Sequence, residues 1–283
     1  MTAWNEEPIV FRCGQEHLVG VIHRSARRGA GVGVLVVVGG PQYRAGSHRQ
    51  FTLMARSLAA IGIPVMRFDH RGMGDSDGHS HGFAETASDI AAGIEAFCLA
   101  VPTIDRVVLW GLCDAASAIL MHGCHDARVG ALVLANPWVQ TGSSEAESYL
   151  RHYYVQRIWQ RSFWIKLLGM RVNLCSSLHD WLGKIRRARR IGQSASFVEQ
   201  MHAGLSGFGG PVLILLSESD FVARQFNDLC QESEVWRAAV GRENVSIHHV
   251  AAADHTFSSR AALDAATIAC GEWLTRLETH PCR

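Results

Sequence analysis

The sequence predicts an α/β fold, with a mostly parallel sheet of about eight strands and helices on both of its faces. Short apolar runs alternate with longer helical stretches along most of the chain, which is typical of a parallel sheet. The runs are continuously apolar rather than alternating, as expected for strands that are buried on both faces. A chain of 283 residues is long enough to bury a substantial core.

Each strand and helix corresponds to a separate segment. Residues 8–12 and 17–23 predict an opening antiparallel pair, with Gly14 near the turn. The remaining strands are expected near residues 34–38, 63–68, 106–110, 130–135, 211–216 and 245–250. Helices are expected near residues 49–61, 84–100, 114–125, 222–239 and 257–278.

Residues 138–210 interrupt this alternation. The segment is too long to be a structureless loop between two strands, and it is rich in tryptophan, tyrosine and arginine. We therefore expect a helical cap over residues 138–210, inserted into a core that is formed by residues 1–137 and 211–283.

The predicted strand at residues 106–110 leads directly into a Gly-Leu-Cys-Asp-Ala sequence at residues 111–115. This layout is typical of a nucleophile elbow, a sharp strand-to-helix turn that needs small residues two positions before and after the nucleophile. Cys113 is the predicted nucleophile, and a covalent thioester is the predicted intermediate. A nucleophilic Asp114 would place Leu112 where the turn needs a small residue. Asp114 is instead expected to open the helix, where its charge opposes thiolate formation.

A catalytic acid and base follow in the order that such a nucleophile needs. Asp220 comes after the strand at residues 211–216, and His255 comes after the strand at residues 245–250. The carboxyl ends of parallel strands meet at one edge of a sheet, where open α/β sheets bind ligands. Cys113, His255 and Asp220 are therefore the predicted catalytic triad.

Other residues near the predicted acid and base compete for these roles. Glu218 is the substitute acid, and Asp254 is a second carboxylate beside the predicted base. His248 and His249 lie inside a predicted strand, so neither is expected to reach the elbow.

Acyl transfer also needs hydrogen-bond donors for an oxyanion. One is expected to be the backbone N–H of Asp114, which follows the nucleophile. The other is expected from the Gly-Gly-Pro-Gln sequence at residues 39–42. Pro41 has no N–H, so the Gln42 amide is the first candidate and Gly40 the second.

The sequence Asp-His-Arg-Gly-Met-Gly-Asp-Ser at residues 69–76 follows another predicted strand. Its glycines permit tight turns, and Asp69 and Arg71 are expected to brace neighbouring loops. We interpret this motif as scaffold.

With these motifs in order, the chain resembles the α/β-hydrolase superfamily over nearly its whole length. Within it, the chain is most similar to the exosortase A system-associated hydrolase 1 family, through residues 39–44, 46–51 and 111–115. This resemblance implies a bacterial protein encoded beside machinery for exopolysaccharide production and PEP-CTERM protein sorting. Dienelactone hydrolases also use cysteine in this fold, so a cysteine nucleophile is compatible with ester hydrolysis.

The predicted function is hydrolysis of an ester or thioester through an acyl-enzyme. One alternative is acyl transfer to a sugar or other acceptor, and another is a non-catalytic binding protein with the same fold. Thiolate is a good leaving group, so activated donors are favoured over peptides and simple amides.

Composition and charge limit the partners and the location. A net charge of +1 gives no general case for nucleic acid or membrane binding. We expect no transmembrane segment, no signal peptide, a cytoplasmic location, and free thiols rather than a disulfide framework. A basic cluster is a candidate docking patch for an acyl carrier protein, and its residues are Arg186, Arg187, Arg189 and Arg190.

No cofactor or metal is expected. The glycines at positions 29, 31 and 33 precede a strand, whereas a dinucleotide fingerprint follows one. His122 and His125 lack a second ligand pair at zinc-finger spacing, and Asp77, His79 and His81 are interpreted as a polar loop.

Overall fold

The computed structural model describes residues 4–25, 31–40, 42–80, 82–139 and 197–279. Its strands are β1 (Trp4–Cys13), β2 (Glu16–Ser25), β3 (Val32–Val37), β4 (Val65–Phe68), β5 (Arg106–Leu112), β6 (Val129–Ala135), β7 (Val212–Ser217) and β8 (Val245–Val250). Its helices are α1 (Gln50–Ala60), α2 (Ala87–Ala100), α3 (Asp114–Met121), α4 (Phe197–Gly207), α5 (Phe221–Glu232), α6 (Glu234–Val240) and α7 (Arg260–Thr279). The predicted α/β architecture is confirmed.

The eight strands form a sheet in the order β1-β2-β4-β3-β5-β6-β7-β8. β1 pairs antiparallel with β2, and β2 pairs antiparallel with β4. All the other pairings are parallel. β5 therefore lies inside the sheet, and its carboxyl end shares an edge with the carboxyl ends of β3, β6, β7 and β8.

Helices cover both faces of this sheet. On one face, Phe51 of α1 packs edge-on against Trp110 of β5, with ring centroids 5.5 Å apart, and Trp273 of α7 joins the same core cluster. On the other face, α2 lies so close that a Cβ at Gly93 would stand 2.9 Å from the Phe68 ring. Burial of the central strands on both faces explains their continuously apolar sequences.

Four helices differ in extent from their predicted segments. Helix α3, predicted to reach residue 125, ends at Met121 and is followed by a 3₁₀ turn at Gly123–His125. Residues 222–239, predicted as one helix, form α5 and α6, because Ser233 is extended at φ −94° and ψ 120°. α2 starts at Ala87, after a short 3₁₀ turn at Phe83–Glu85, and α7 starts at Arg260.

The predicted cap at residues 138–210 falls mainly outside the described residues, and its existence stays a prediction. Residues up to Val139 and from Gln200 onward form one compact unit. Within that unit α4 packs on α3, where a Cβ at Gly204 would collide with the backbone of Leu120. Among the described residues, no helix is both long and apolar enough to cross a membrane.

Candidate active site

Cys113 occupies the sharp turn between β5 and α3. Its backbone adopts φ 60° and ψ −122°, a left-handed conformation that is costly for any residue other than glycine. The Cys113 N–H donates to the Ala135 carbonyl at 2.9 Å, which ties the turn to the end of β6. A strained residue at the end of a parallel strand, facing a sheet edge, is the geometry of a nucleophile elbow.

The small residues around the turn have a steric reason. A Cβ at Gly111 would lie 2.7 Å from the Ile119 side chain and 2.8 Å from the backbone of Ala115. Ala115 is itself buried. Helix α3 therefore folds back directly over the last residues of β5, and only small residues at positions 111 and 115 permit this approach.

The Cys113 thiol is surrounded by groups that oppose its ionisation. Burial raises the pKa of the thiol well above its usual range, and the nearby carboxylates of Asp114 and Asp220 raise the pKa further. The Asp114 N–H, which donates toward the sulfur, has the opposite, smaller effect. Burial and the two carboxylates therefore disfavour the thiolate form of Cys113.

Asp220 and His255 form a hydrogen-bonded pair on the loops that follow β7 and β8. The Nδ1 atom of His255 lies 2.8 Å from Oδ2 of Asp220. Asp220 is also the N-cap of α5, where its carboxylate accepts from the N–H groups of Val222 at 3.3 Å and Ala223 at 3.1 Å. These bonds hold the carboxylate in one orientation, so the structure brings the predicted acid and base together.

The alternative candidates for the acid and the base have other contacts or face solvent. Glu218 accepts from the Ala252 N–H at 3.3 Å, and Asp254 accepts from the N–H groups of Thr256 and Ser258 within its own loop. His248 and His249 lie in β8 and are exposed to solvent.

Asn136, at the end of β6, is a site residue that the sequence analysis missed. It is fully buried, with a positive φ of 45°. Its side-chain amide donates to Ser217 Oγ at 2.9 Å and to the His255 carbonyl at 3.1 Å, and its Oδ1 accepts from the Ser217 N–H at 2.8 Å. Asn136 thus connects the ends of β6 and β7 to the loop of His255. The Asn-Pro sequence directly after a buried strand was the available signal.

The loop after β3 meets the elbow through Asp114. The Gly40 N–H donates to Asp114 Oδ2 at 2.7 Å, whereas the Gln42 N–H donates to the Gly39 carbonyl at 3.4 Å. A Cβ at Gly39 would stand 2.1 Å from Asp114 Oδ1. The loop therefore approaches α3 as an oxyanion loop should. The amide that faces the elbow is Gly40, the second candidate, and the Gln42 assignment stays a prediction.

Burial raises the pKa of the Asp114 carboxyl to about 6, against the opposing hydrogen bonds from the N–H groups of Gly40 and Ala115. His255 is close enough to lower the same pKa through its charge. Asp220 is likewise close enough to affect the Cys113 thiol. Cys113, Asp114, Asp220 and His255 therefore share one electrostatic neighbourhood at the carboxyl edge of the sheet.

The motif at residues 69–76 braces the adjacent loops. The Asp69 carboxylate accepts from the Arg44 N–H at 2.6 Å and the Asp75 N–H at 3.1 Å, and it also pairs with the Arg44 guanidinium. Arg71 forms a two-point ion pair with Asp89 of α2. These contacts agree with the interpretation of the motif as scaffold.

Two of the residues considered as metal ligands, His122 and Asp77, have other partners. His122 Nε2 lies 3.0 Å from the Ala84 carbonyl, and His17 pairs with Asp77 at 3.1 Å. Within the described ranges, no group of three or more His, Cys, Asp or Glu side chains could hold a metal ion. His81 lies outside the described residues, so the polar loop at positions 77–81 is only partly described.

Comparisons with known proteins show the family and the fold of this chain. Residues 33–257 match the model of the Hydrolase_4 family, described as serine aminopeptidase, S33. A search of curated proteins found no match to this chain. Position 113 carries cysteine, although the name of the family refers to a serine enzyme.

Solved structures share the fold at low sequence identity. An esterase, Pf2001, from Pyrococcus furiosus is 14% identical with a TM-score of 0.67, covering 97% of this chain and 94% of its own. Est1E from Butyrivibrio proteoclasticus, solved with ferulic acid, is 13% identical with a TM-score of 0.64, covering 96% and 100%. An α/β serine hydrolase homologue from Coxiella burnetii is 16% identical with a TM-score of 0.57, covering 95% and 96%. Since the family model spans most of the sequence, this chain belongs to the Hydrolase_4 family of α/β hydrolases.

Proposed function

We propose that this hydrolase cleaves ester or thioester bonds through a triad of Cys113, His255 and Asp220 and a covalent acyl-enzyme. One observation carries the proposal. Cys113 has the strained backbone of an elbow nucleophile, at the sheet edge that also holds the His255–Asp220 pair. The esterase and ferulic acid named for two structural neighbours suggest carboxylic esters as a substrate class.

In the acylation step, Cys113 Sγ attacks the carbonyl carbon while His255 Nε2 takes the thiol proton. The C–S bond forms, and the carbonyl oxygen becomes an oxyanion. The raised pKa of the thiol disfavours a preformed thiolate–imidazolium pair. Proton transfer therefore accompanies the attack, as in a serine hydrolase.

The tetrahedral adduct collapses when His255 returns the proton to the departing oxygen or sulfur. Water then attacks the thioester carbonyl, His255 takes a proton from that water, and the acid and the free thiol are released. Asp220 orients His255 and stabilises its imidazolium in both steps. The Asp114 N–H and one amide of the loop at residues 39–42, Gln42 or Gly40, are the proposed oxyanion donors.

The leaving group sets the preferred substrate. Thiolate departs readily, so the adduct returns to reactants unless the other departing group is comparably good. Thioesters and activated esters are therefore the proposed donors, ahead of the aminoacyl amides that the family description implies.

Replacement of Cys113 tests the proposal. Cys113→Ala should abolish turnover of a 4-nitrophenyl ester and the acyl adduct that intact-protein mass spectrometry detects, while Cys113→Ser should keep a remnant. Cys98→Ala is the matched control, since Cys98 is also partly exposed but lies on α2. Wild-type turnover by Cys113→Ala would overturn the covalent mechanism.

Two further arms define the reaction. Aminoacyl 4-nitroanilides at equal concentration test peptidase activity, and faster cleavage of these than of esters would contradict the leaving-group argument. Product analysis with and without a sugar alcohol separates hydrolysis from acyl transfer, because only a transferase forms a new sugar ester.

The biological setting is also a proposal. The resemblance to exosortase-associated hydrolases suggests a role beside exopolysaccharide production, in the cytoplasm, with a carrier-linked donor. The candidate docking patch lies outside the described residues, and its members are Arg186, Arg187, Arg189 and Arg190. Reversing these four charges should slow turnover of a carrier-linked donor and spare that of a free ester; equal effects on both would contradict docking.

A further inference from the structure

The Asp114 carboxylate accepts a hydrogen bond from one of the candidate oxyanion donors. Its Oδ2 accepts from the Gly40 N–H at 2.7 Å, and Gly40 belongs to the loop that faces the elbow from β3. The missing Cβ of Gly39 leaves the space that Oδ1 fills. A negatively charged side chain is thus built into the site, beside the proposed nucleophile and on one of the candidate oxyanion donors.

The groups around this carboxylate do not neutralise it fully. The loop after β3 offers the Gly40 N–H, and α3 offers the backbone N–H groups of Asp114 and Ala115. Burial disfavours ionisation of the neighbouring Cys113 thiol by raising its pKa, and the charge of Asp220, from the loop after β7, acts on that thiol in the same direction. His255 from the loop after β8 is the group whose charge favours the ionised form of Asp114.

We propose that Asp114 makes the site selective for acyl donors without a negative charge near the scissile carbonyl. This inference rests on the proposed function, because it assumes that Cys113 is the nucleophile. An acyl group that carries its own carboxylate, such as a succinyl half-ester, would bring like charges together beside the elbow. Neutral acyl groups meet no such repulsion.

The same carboxylate also slows the nucleophile. It raises the pKa of the Cys113 thiol, so a neutral side chain at position 114 makes the sulfur more reactive at a given pH. The substitution Asp114→Asn is close to isosteric, and its side-chain oxygen can still accept from the Gly40 N–H. Asp114→Ser is a second neutral variant, in case the first fails to fold.

Alkylation of Cys113 separates this inference from the proposed function. Neutral iodoacetamide and anionic iodoacetate react alike: the sulfur displaces iodide, a C–S bond forms, and the thiol proton is lost to buffer. Rates are measured at about pH 8 from the modified Cys113 peptide by mass spectrometry. Wild-type protein should strongly prefer iodoacetamide, and Asp114→Asn should reduce that preference about tenfold. Its iodoacetamide profile should also move about one pH unit lower.

Substrate pairs extend the test. The kcat/KM ratio for 4-nitrophenyl butyrate over 4-nitrophenyl hemisuccinate should fall by a similar factor in Asp114→Asn. Asp264→Asn, which removes an exposed carboxylate of α7 paired with Arg260, is the charge control. It should change neither the alkylation ratio of iodoacetamide to iodoacetate nor the kcat/KM ratio of the two esters. Ratios that stay at the wild-type value in both neutral variants of Asp114 would overturn the inference while leaving the triad intact. A wild-type Cys113 that reacts with neither reagent would instead overturn the nucleophile assignment.

Discussion

Replacing Asn136 by alanine tests how firmly the loop of His255 is tied to the sheet. The substitution leaves the Ser217 N–H without its 2.8 Å acceptor in a buried setting, which costs about 1–3 kcal/mol. It also removes the bonds to Ser217 Oγ and the His255 carbonyl, at roughly 1 kcal/mol each. Alanine at φ 45° adds roughly 1 kcal/mol. We expect a total loss of about 4–6 kcal/mol in the free energy of unfolding.

Activity should fall as well, because a shift of about 1 Å in a catalytic group can cost roughly 100-fold in rate. Urea unfolding gives the change in the free energy of unfolding, provided that its dependence on urea concentration is the same for both proteins. Ester turnover at a temperature where each variant is folded gives kcat. Asn136→Gly is the matched control, since it loses the same bonds but avoids the left-handed penalty and should be about 1 kcal/mol more stable than the alanine variant. A loss below about 1 kcal/mol in Asn136→Ala would refute this account of the site.

Three further predictions address the elbow, the acid and a buried histidine. Gly111→Ala should lower the free energy of unfolding by about 1–3 kcal/mol and remove most of the activity, because the new Cβ would lie 2.8 Å from the Ala115 backbone. Gly209→Ala is the control: a Cβ there meets no atom within 4 Å, so urea unfolding and turnover should hardly change. Asp220→Asn should lower kcat by about 10³–10⁴-fold, although asparagine can still cap α5. Asp220→Ala should in addition lower the free energy of unfolding by about 1 kcal/mol. Equal kcat for Asp220→Asn and wild type would exclude the His255–Asp220 pair from catalysis. Buried His23 accepts from Arg67 Nε at 2.8 Å, and burial lowers the pKa of its imidazole from 6.5 to about 4. The unfolded chain therefore binds more protons between these pH values, and stability should fall by up to about 3 kcal/mol as the pH drops through that window. In His23→Gln the free energy of unfolding should depend less on pH in this range. The same pH dependence as in wild type would contradict the lowered pKa of His23.

The sequence by itself determined the architecture and the order along the chain of the candidate site residues. Continuous apolar strands require burial on both faces, and in a parallel sheet all their carboxyl ends point to one edge. Residues placed just after those strands, such as Cys113, Asp220 and His255, are thereby directed to a common place. Local sterics sufficed at the elbow too, since the need for small residues around position 113 follows from the turn alone.

The break between α5 and α6 was not predicted from the local sequence, which indicated one helix over residues 222–239. Ser233 can continue a helix by composition, yet its backbone is extended, and Trp236 of α6 packs against Phe226 of α5 with ring centroids 5.7 Å apart. Single-residue propensities differ by less than 1 kcal/mol, so tertiary contacts override them.

Only the tertiary structure decided what each side chain touches across elements. The Gly40–Asp114 contact spans 74 positions and the Asn136–His255 contact spans 119, and no periodicity encodes either of them. The hydrogen bonds that bear on Gln42 against Gly40, and on Asp220 against Glu218, likewise join residues far apart in the sequence. Hydrogen bonds and charge effects depend on the distances between atoms, which packing of the whole sheet sets.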